Sequence, residues 1–217
     1  YGFVRFADEI VDTFHEYDKK YLLDKFKKDC FEAIAFGISL NPVLNSFQKV
    51  VNDFGIDHEL IELFLNSMEM DLEPSIYSNE KYDKYILGSA EVVGLMCLYV
   101  FVNGNKEQYE SLKPFAMKLG STFQKVNFLR DLKADFEDLS RTYFPNTDLT
   151  KLDEESKNKI IQEIEADFEA GYQGIVNLPL EAKFGVYTAY RYYKKLLSKL
   201  KKTPSAEIKN TRIRVSD

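Results

Sequence analysis

Two stretches of this chain place acidic side chains where they could hold a divalent cation. In YGFVRFADEIVD, residues 1 to 12, Arg5, Asp8 and Asp12 stand at i, i+3 and i+7, which is one side of a helix. Two carboxylates one turn apart repel by roughly a few tenths of a kcal/mol unless something neutralises them. In GSTFQKVNFLRDLKADFEDLSRTYFP, residues 120 to 145, Gln124, Asn127, Asp131 and Asp135 follow at i, i+3, i+7 and i+11. They share a helical strip roughly 80° wide. Ala116 and Gly120 edge that strip and leave room for a ligand, while Phe115, Leu119, Phe123 and Val126 form a separate packing face. The first pair alone reads as a solvated acidic face, whereas the second strip, polar beside small residues on a helix with an apolar face, suggests a cavity wall. Together, each with an arginine within one turn (Arg5, Arg130), they suit Mg²⁺ shared with a phosphate, because magnesium keeps few protein ligands and takes substrate oxygens. Bound cations would reverse the repulsion between these carboxylates and a diphosphate.

The elements that must position these residues read as helices throughout. Segments rich in Leu, Phe, Lys and Glu recur at helical spacing and predict helices near 1–17, 21–38, 43–53, 57–72, 80–101, 106–138, 151–175 and 180–202. Asp57, Asn79 and Asn105 are the expected caps of the fourth, fifth and sixth, and Pro114 is expected to split the sixth. No alternating βαβ pattern and no solenoid repeat is present, so the expectation is a single all-α domain over residues 1–217. With 217 residues and 45% hydrophobic composition there is enough apolar material for one substantial core. The chain starts on Tyr1 and ends at IRVSD, and it reads as a fragment of a longer protein.

A net charge of −6 argues against nucleic acid as a partner. The basic run KKLLSKLKK near the C-terminus reads first as a solvated helix end and second as a contact for an anionic ligand or surface. Cys30 and Cys97, with no CxxC pair, read as buried thiols in a reducing compartment. The apolar run VVGLMCLYVFV, Val92 to Val102, is shorter than the roughly 20 residues of a spanning helix. It fits core packing and the wall of an apolar tunnel equally well. Neither His15 nor His58 is placed for acid–base work.

These residues carry a resemblance. YGFVRFADEIVD and QKVNFLRDLKADFEDLSRTYFP resemble the two aspartate-rich signatures of the squalene/phytoene synthases, the head-to-head prenyl transferases. YILGSAEVVG, Tyr85 to Gly94, is similar to the family's tyrosine-led segment of small residues, and the three motifs come in the family's order. The resemblance implies an isoprenoid synthase fold, a single helical domain around a central cavity. It implies that Asp8, Asp12, Asn127, Asp131 and Asp135 hold Mg²⁺, or Mn²⁺, across the cavity mouth. Tyr1, Arg5, Gln124, Arg141, Tyr143, Tyr193 and Arg212 would contact substrate, and Tyr85 would sit near the diphosphate and the reacting carbons. One departure is the interval from Asp135 to Tyr143, one residue longer than in some relatives; another is that the family's N-terminal helix with its flap serines does not precede Tyr1.

The activity so implied is condensation of two prenyl diphosphates through a cyclopropylcarbinyl diphosphate. ADEIVD is closer to the phytoene synthases than to the DDSID form of dehydrosqualene synthases, so two geranylgeranyl diphosphates are the leading substrates. A squalene or dehydrosqualene synthase acting on farnesyl diphosphate is the alternative, with NADPH required only for squalene. A non-catalytic assembly factor on the same scaffold is the alternative of another class. The expected setting is cytoplasmic, with peripheral membrane contact for release of an apolar product.

Overall fold

The computed structural model describes residues 1–72, 78–137, 144, 152–208 and 212–215, with the side chains of residues 133–137 excepted. Among the described residues every regular element is helical: α1 (Gly2–Asp12), α2 (Lys19–Phe36), α3 (Pro42–Phe54), α4 (His58–Met70), α5 (Asn79–Ile86), a π-helical turn (Leu87–Glu91), α6 (Val92–Phe101), α7 (Lys106–Glu137), α8 (Glu154–Asn177), α9 (Leu180–Lys202) and α10 (Ser205–Ile208). The all-α expectation holds.

Local chemistry sets the helix ends. Asp57 accepts from the Glu59 amide at 3.0 Å and Asn105 from the Gln108 amide at 3.0 Å, as their positions before helical runs predict. The cap of α5 is Ser78, which accepts from the Lys81 amide at 3.2 Å, rather than Asn79, the first helical residue. Helix α1 stops at Asp12, five residues short of the expected end. There Thr13 Oγ1 donates to the Glu9 carbonyl at 2.6 Å and Lys19 Nζ donates to the Val11 carbonyl at 2.8 Å, satisfying carbonyls that a longer helix would have used. Pro114 does not divide α7. An interior proline costs about 3 kcal/mol in an isolated helix. Here the surrounding residues Leu112, Phe115 and Ala116 are packed into a hydrophobic cluster with α6 and Leu178, which offsets that cost.

Helices α1 to α4 enclose one apolar cluster with Phe3, Ile10, Phe26, Phe64 and Val92 at its heart. Helices α5, α7, α8 and α9 enclose another around Val126, Leu129, Ile164 and Phe168. Helix α6 lies beside the first, to which Val92 and Met96 belong, and its Leu95 and Leu98 form a third, smaller cluster with Tyr109 and Leu112 of α7 and Leu178. Close approach requires small residues at the seams. A Cβ on Gly94 would stand 2.9 Å from the Ala116 carbonyl oxygen, and one on Gly120 2.6 Å from that of Ala90, so α7 lies directly on α6 and the π turn.

Together α5, the π turn and α6 form a continuous 23-residue rod, Asn79–Phe101, long and apolar enough to cross a membrane by length and composition. The expectation drawn from the Val92–Val102 run alone is therefore corrected on length. Packing of the rod against α4 and α7 accounts for its apolar character.

Candidate active site

Helix α1 has two faces. Phe3, Ala7, Ile10 and Val11 are buried, which turns Arg5, Asp8 and Glu9 outward from the core. Arg5 Nη1 reaches Asp8 Oδ2 at 2.6 Å, and its other terminal nitrogen reaches Glu9. Burial, then the neighbouring Asp12 charge, push the Asp8 carboxyl above its ordinary range, and Arg5 offsets this only in part. A carboxylate held there at a cost is relieved by a cation. Tyr1 caps the helix and lines an apolar cavity of 640 Å³ with Phe3, Val43, Phe47 and the α6 residues Val93, Met96 and Cys97.

Helix α7 carries the second stripe. Val126, Phe128, Leu129 and Leu132 are buried against α5 and α8, which fixes the rotation of the helix and turns Gln124, Asn127 and Asp131 away from that core. Arg130 grips Asp131 with two bonds, Nε to Oδ1 at 2.9 Å and Nη2 to Oδ2 at 2.5 Å. Arg212, from the chain beyond α10, adds an ion pair to Asp131 Oδ1 at 2.8 Å. Tyr193 stacks on Phe123 at 4.1 Å between ring centres and lies close enough to bear on the Arg130 charge. The structure thus gathers Arg130, Asp131, Tyr193 and Arg212 in one place. Gln124, two turns before Asp131, lines a second cavity, of 530 Å³, between α6, α7, α8 and α9. The backbone of Asp135 continues α7, but its side chain, and Arg141 and Tyr143, lie outside the described residues.

Each aspartate stripe pairs with arginine: Asp8 with Arg5 and Asp131 with Arg130 and Arg212. The two halves are joined by the cavity wall, because Val93 and Cys97 of α6 line both cavities. Helix α6 therefore does both things expected of it. It buries Val92 and Leu95 in the core and presents Val93, Gly94, Cys97 and Phe101 to the cavity. Cys30 is buried as expected, with its thiol pushed up to about 12 by burial. Cys97 is exposed, contrary to expectation, because it faces the cavity rather than the core.

Tyr85 is buried and its hydroxyl donates to Asp71 Oδ2 at 2.7 Å, which ties α5 to the end of α4. Sequence reasoning missed Ser89, whose buried hydroxyl has no partner and which lies on the wall of the 530 Å³ cavity. Its place among the small residues of YILGSAEVVG was the available signal.

The residues present fit a hard divalent cation. Asn127 Oδ1 is buried and lacks a hydrogen-bond donor, a condition worth about 1–3 kcal/mol of lost solvation. It stands one turn before Asp131, so a carbonyl oxygen and a carboxylate oxygen share one strip of α7. Among the described residues no group of three or more acidic, histidine or cysteine side chains is close enough to hold a metal by itself. Magnesium is suited to such a sparse set, because substrate oxygens complete its octahedron.

Comparison with known proteins agrees with this architecture. The family model described as squalene/phytoene synthase matches residues 1–217. A presqualene diphosphate synthase from Rhodopseudomonas palustris is 27% identical over 154 residues, 70% of this chain and 53% of that protein. The match thus spans about half the length of that relative. Among solved structures, squalene synthase HpnC from Alicyclobacillus acidocaldarius has a TM-score of 0.78 at 18% identity, covering 92% of this chain and 80% of its own. A dehydrosqualene synthase in complex with ligand has a TM-score of 0.73 at 17% identity, covering 93% and 83%. At these identities the structures show the fold, which is the isoprenoid synthase fold.

Proposed function

Because the chain belongs to the squalene/phytoene synthase family, we propose that it joins two prenyl diphosphates head to head. The observation that carries the reading is the α7 strip: Asp131 clasped by Arg130 and Arg212, the orphaned Asn127 oxygen one turn away, and Gln124, a further turn along the same strip, on the wall of an apolar cavity. Magnesium bound by Asn127, Asp131 and Asp135, and by Asp8 and Asp12 on the α1 side, would supply Lewis-acid stabilisation of the departing diphosphate. Manganese fits the same oxygen ligands.

In this reading Arg5, Arg130 and Arg212 draw the diphosphates to the two stripes by charge, and the guanidiniums stabilise negative charge as the allylic C–O bond breaks. The cavity walls, formed by Val93, Leu98, Phe115, Leu119, Phe123 and Ile175, hold the tails and exclude water that would quench an allylic cation. The double bond of the second substrate attacks that cation. Loss of one proton then leaves a cyclopropylcarbinyl diphosphate, with one pyrophosphate released. A second ionisation, rearrangement and proton loss give phytoene or dehydrosqualene, whereas squalene needs a hydride from NADPH.

The ADEIVD motif supports geranylgeranyl diphosphate as substrate. The names of the similar proteins, a presqualene diphosphate synthase, a squalene synthase and a dehydrosqualene synthase, favour farnesyl diphosphate as the second reading. Incubating the full-length protein with each diphosphate, with and without Mg²⁺ and NADPH, tests both. Pyrophosphate release that depends on Mg²⁺, with a head-to-head product from one tail length, is the expected result. No pyrophosphate under any condition would contradict the reading and favour a non-catalytic assembly factor. Release of so apolar a product also favours peripheral contact with a membrane, from a cytoplasmic enzyme.

A further inference from the structure

The glycines around the 530 Å³ cavity are not equivalent. A Cβ on Gly94 or Gly120 would press on the backbone of a neighbouring helix, and one on Gly171 would stand 3.2 Å from Leu119. Packing accounts for them. Gly185 lies inside α9 and lines the same cavity, yet a Cβ there meets nothing within 4 Å. A glycine in the middle of a helix disfavours the helix, and no close approach demands this one. What its missing side chain leaves is space.

The level of that space along the cavity follows from the packing. Helix α9 runs alongside α7 with Tyr193 stacked on Phe123. Gly185 stands eight residues before Tyr193 and Phe115 eight before Phe123, so Gly185 and Phe115 lie at one level, and both line the cavity. At 1.5 Å rise per residue that level is about 24 Å along α7 from Asp131. An extended carbon chain advances about 1.3 Å per bond, so each isoprene unit covers about 5 Å. Allowing about 5 Å for a diphosphate and its cation contacts at Asp131, a fifteen-carbon tail ends about 20 Å away and a twenty-carbon tail about 25 Å away. Only the fourth isoprene unit comes level with Gly185.

We propose that Gly185 is a specificity-determining residue, its bare Cα keeping the far end of the cavity open to the last isoprene unit of a twenty-carbon tail. This rests on the prenyl diphosphate reading above. Ala182, one turn earlier on α9 and also on the cavity wall, guards the same end.

The test is calorimetric titration, with Mg²⁺, of farnesyl and geranylgeranyl thiodiphosphates, which bind without ionising, into the wild type, Gly185→Leu and Ala182→Leu. Each methylene that loses its buried place costs about a fourfold drop in affinity. The affinity ratio is therefore expected to move at least about tenfold toward the fifteen-carbon analogue in both variants, mainly through weaker binding of the longer one. Thermal melts confirm that each variant is folded. A ratio within twofold of the wild type, in variants that melt normally and still bind, would overturn the inference. A wild type that binds neither analogue would instead overturn the proposed function, and the inference with it.

Discussion

Asp131 concentrates the chemistry of this molecule into one side chain. Its two oxygens take three guanidinium contacts, from Arg130 and Arg212. Replacement by Asn keeps the shape and removes the charge that a cation and these arginines share. Asp131→Asn is expected to lower pyrophosphate release by about a hundred- to a thousandfold, the scale of losing one key electrostatic contact, with the far-ultraviolet dichroism unchanged. Turnover near that of the wild type would refute its role. The two cysteines give an independent readout. Burial raises both thiols, Cys30 to about 12, and only Cys97 is open to solvent. Alkylation of the native protein is expected to modify Cys97 alone, and of the denatured protein both. A thiol whose pKa is raised is mostly protonated at neutral pH, so the Cys97 rate should climb as pH rises through and beyond 9. Rapid labelling of two thiols in native protein would contradict the placement. The acidic stripe was legible because helical spacing is a property of the local sequence. That Cys97 faces a cavity, or that Arg212 closes on Asp131, depends on contacts between distant parts of the chain, which local spacing does not encode.

Among the elements, helix type and order were legible, and the differences lie at their ends. Helix α1 stops at Asp12 because Thr13 and Lys19 satisfy its last carbonyls, and Lys19 belongs to the next helix. Pro114 stays inside α7 because tertiary packing offsets its local cost. Two substitutions of the same kind should act with opposite sign. Gly120→Val forces a side chain against the Ala90 carbonyl and is expected to destabilise by about 1–3 kcal/mol or more. Gly185→Ala, with open space around it, should stabilise by up to about 1 kcal/mol. Chemical denaturation measures both, and equal signs would show that the cavity at Gly185 is closed. Tyr85→Phe removes the buried bond to Asp71 and should cost about 1–3 kcal/mol. For a domain of this size each kcal/mol shifts the thermal midpoint by about 2–4 °C. An unchanged midpoint would show that the hydroxyl does not hold α5 to α4.

For the whole molecule, α6 packs between the cluster of α1 to α4 and the smaller cluster it shares with α7, and the cavities on either side of it share Val93 and Cys97. The Asp8 stripe flanks the cluster of α1 to α4, and the Asp131 stripe flanks the larger cluster around Val126 and Leu129. A ligand that spans both should stabilise the fold as a unit. At a concentration 100 times its dissociation constant, a prenyl thiodiphosphate with Mg²⁺ should add about 2.7 kcal/mol, and chelation of the metal should remove most of it. Absence of any shift in the melting curve would count against a shared site. The most direct measurement is a crystal structure of the full-length protein with Mg²⁺ and an inert prenyl thiodiphosphate. The account predicts divalent cations on Asp131 and Asp8, a diphosphate bridging α7 and α1, and a tail lying along Val93, Leu119 and Gly185. A diphosphate bound elsewhere, or stripes that face away from one another with the ligand in place, would contradict it.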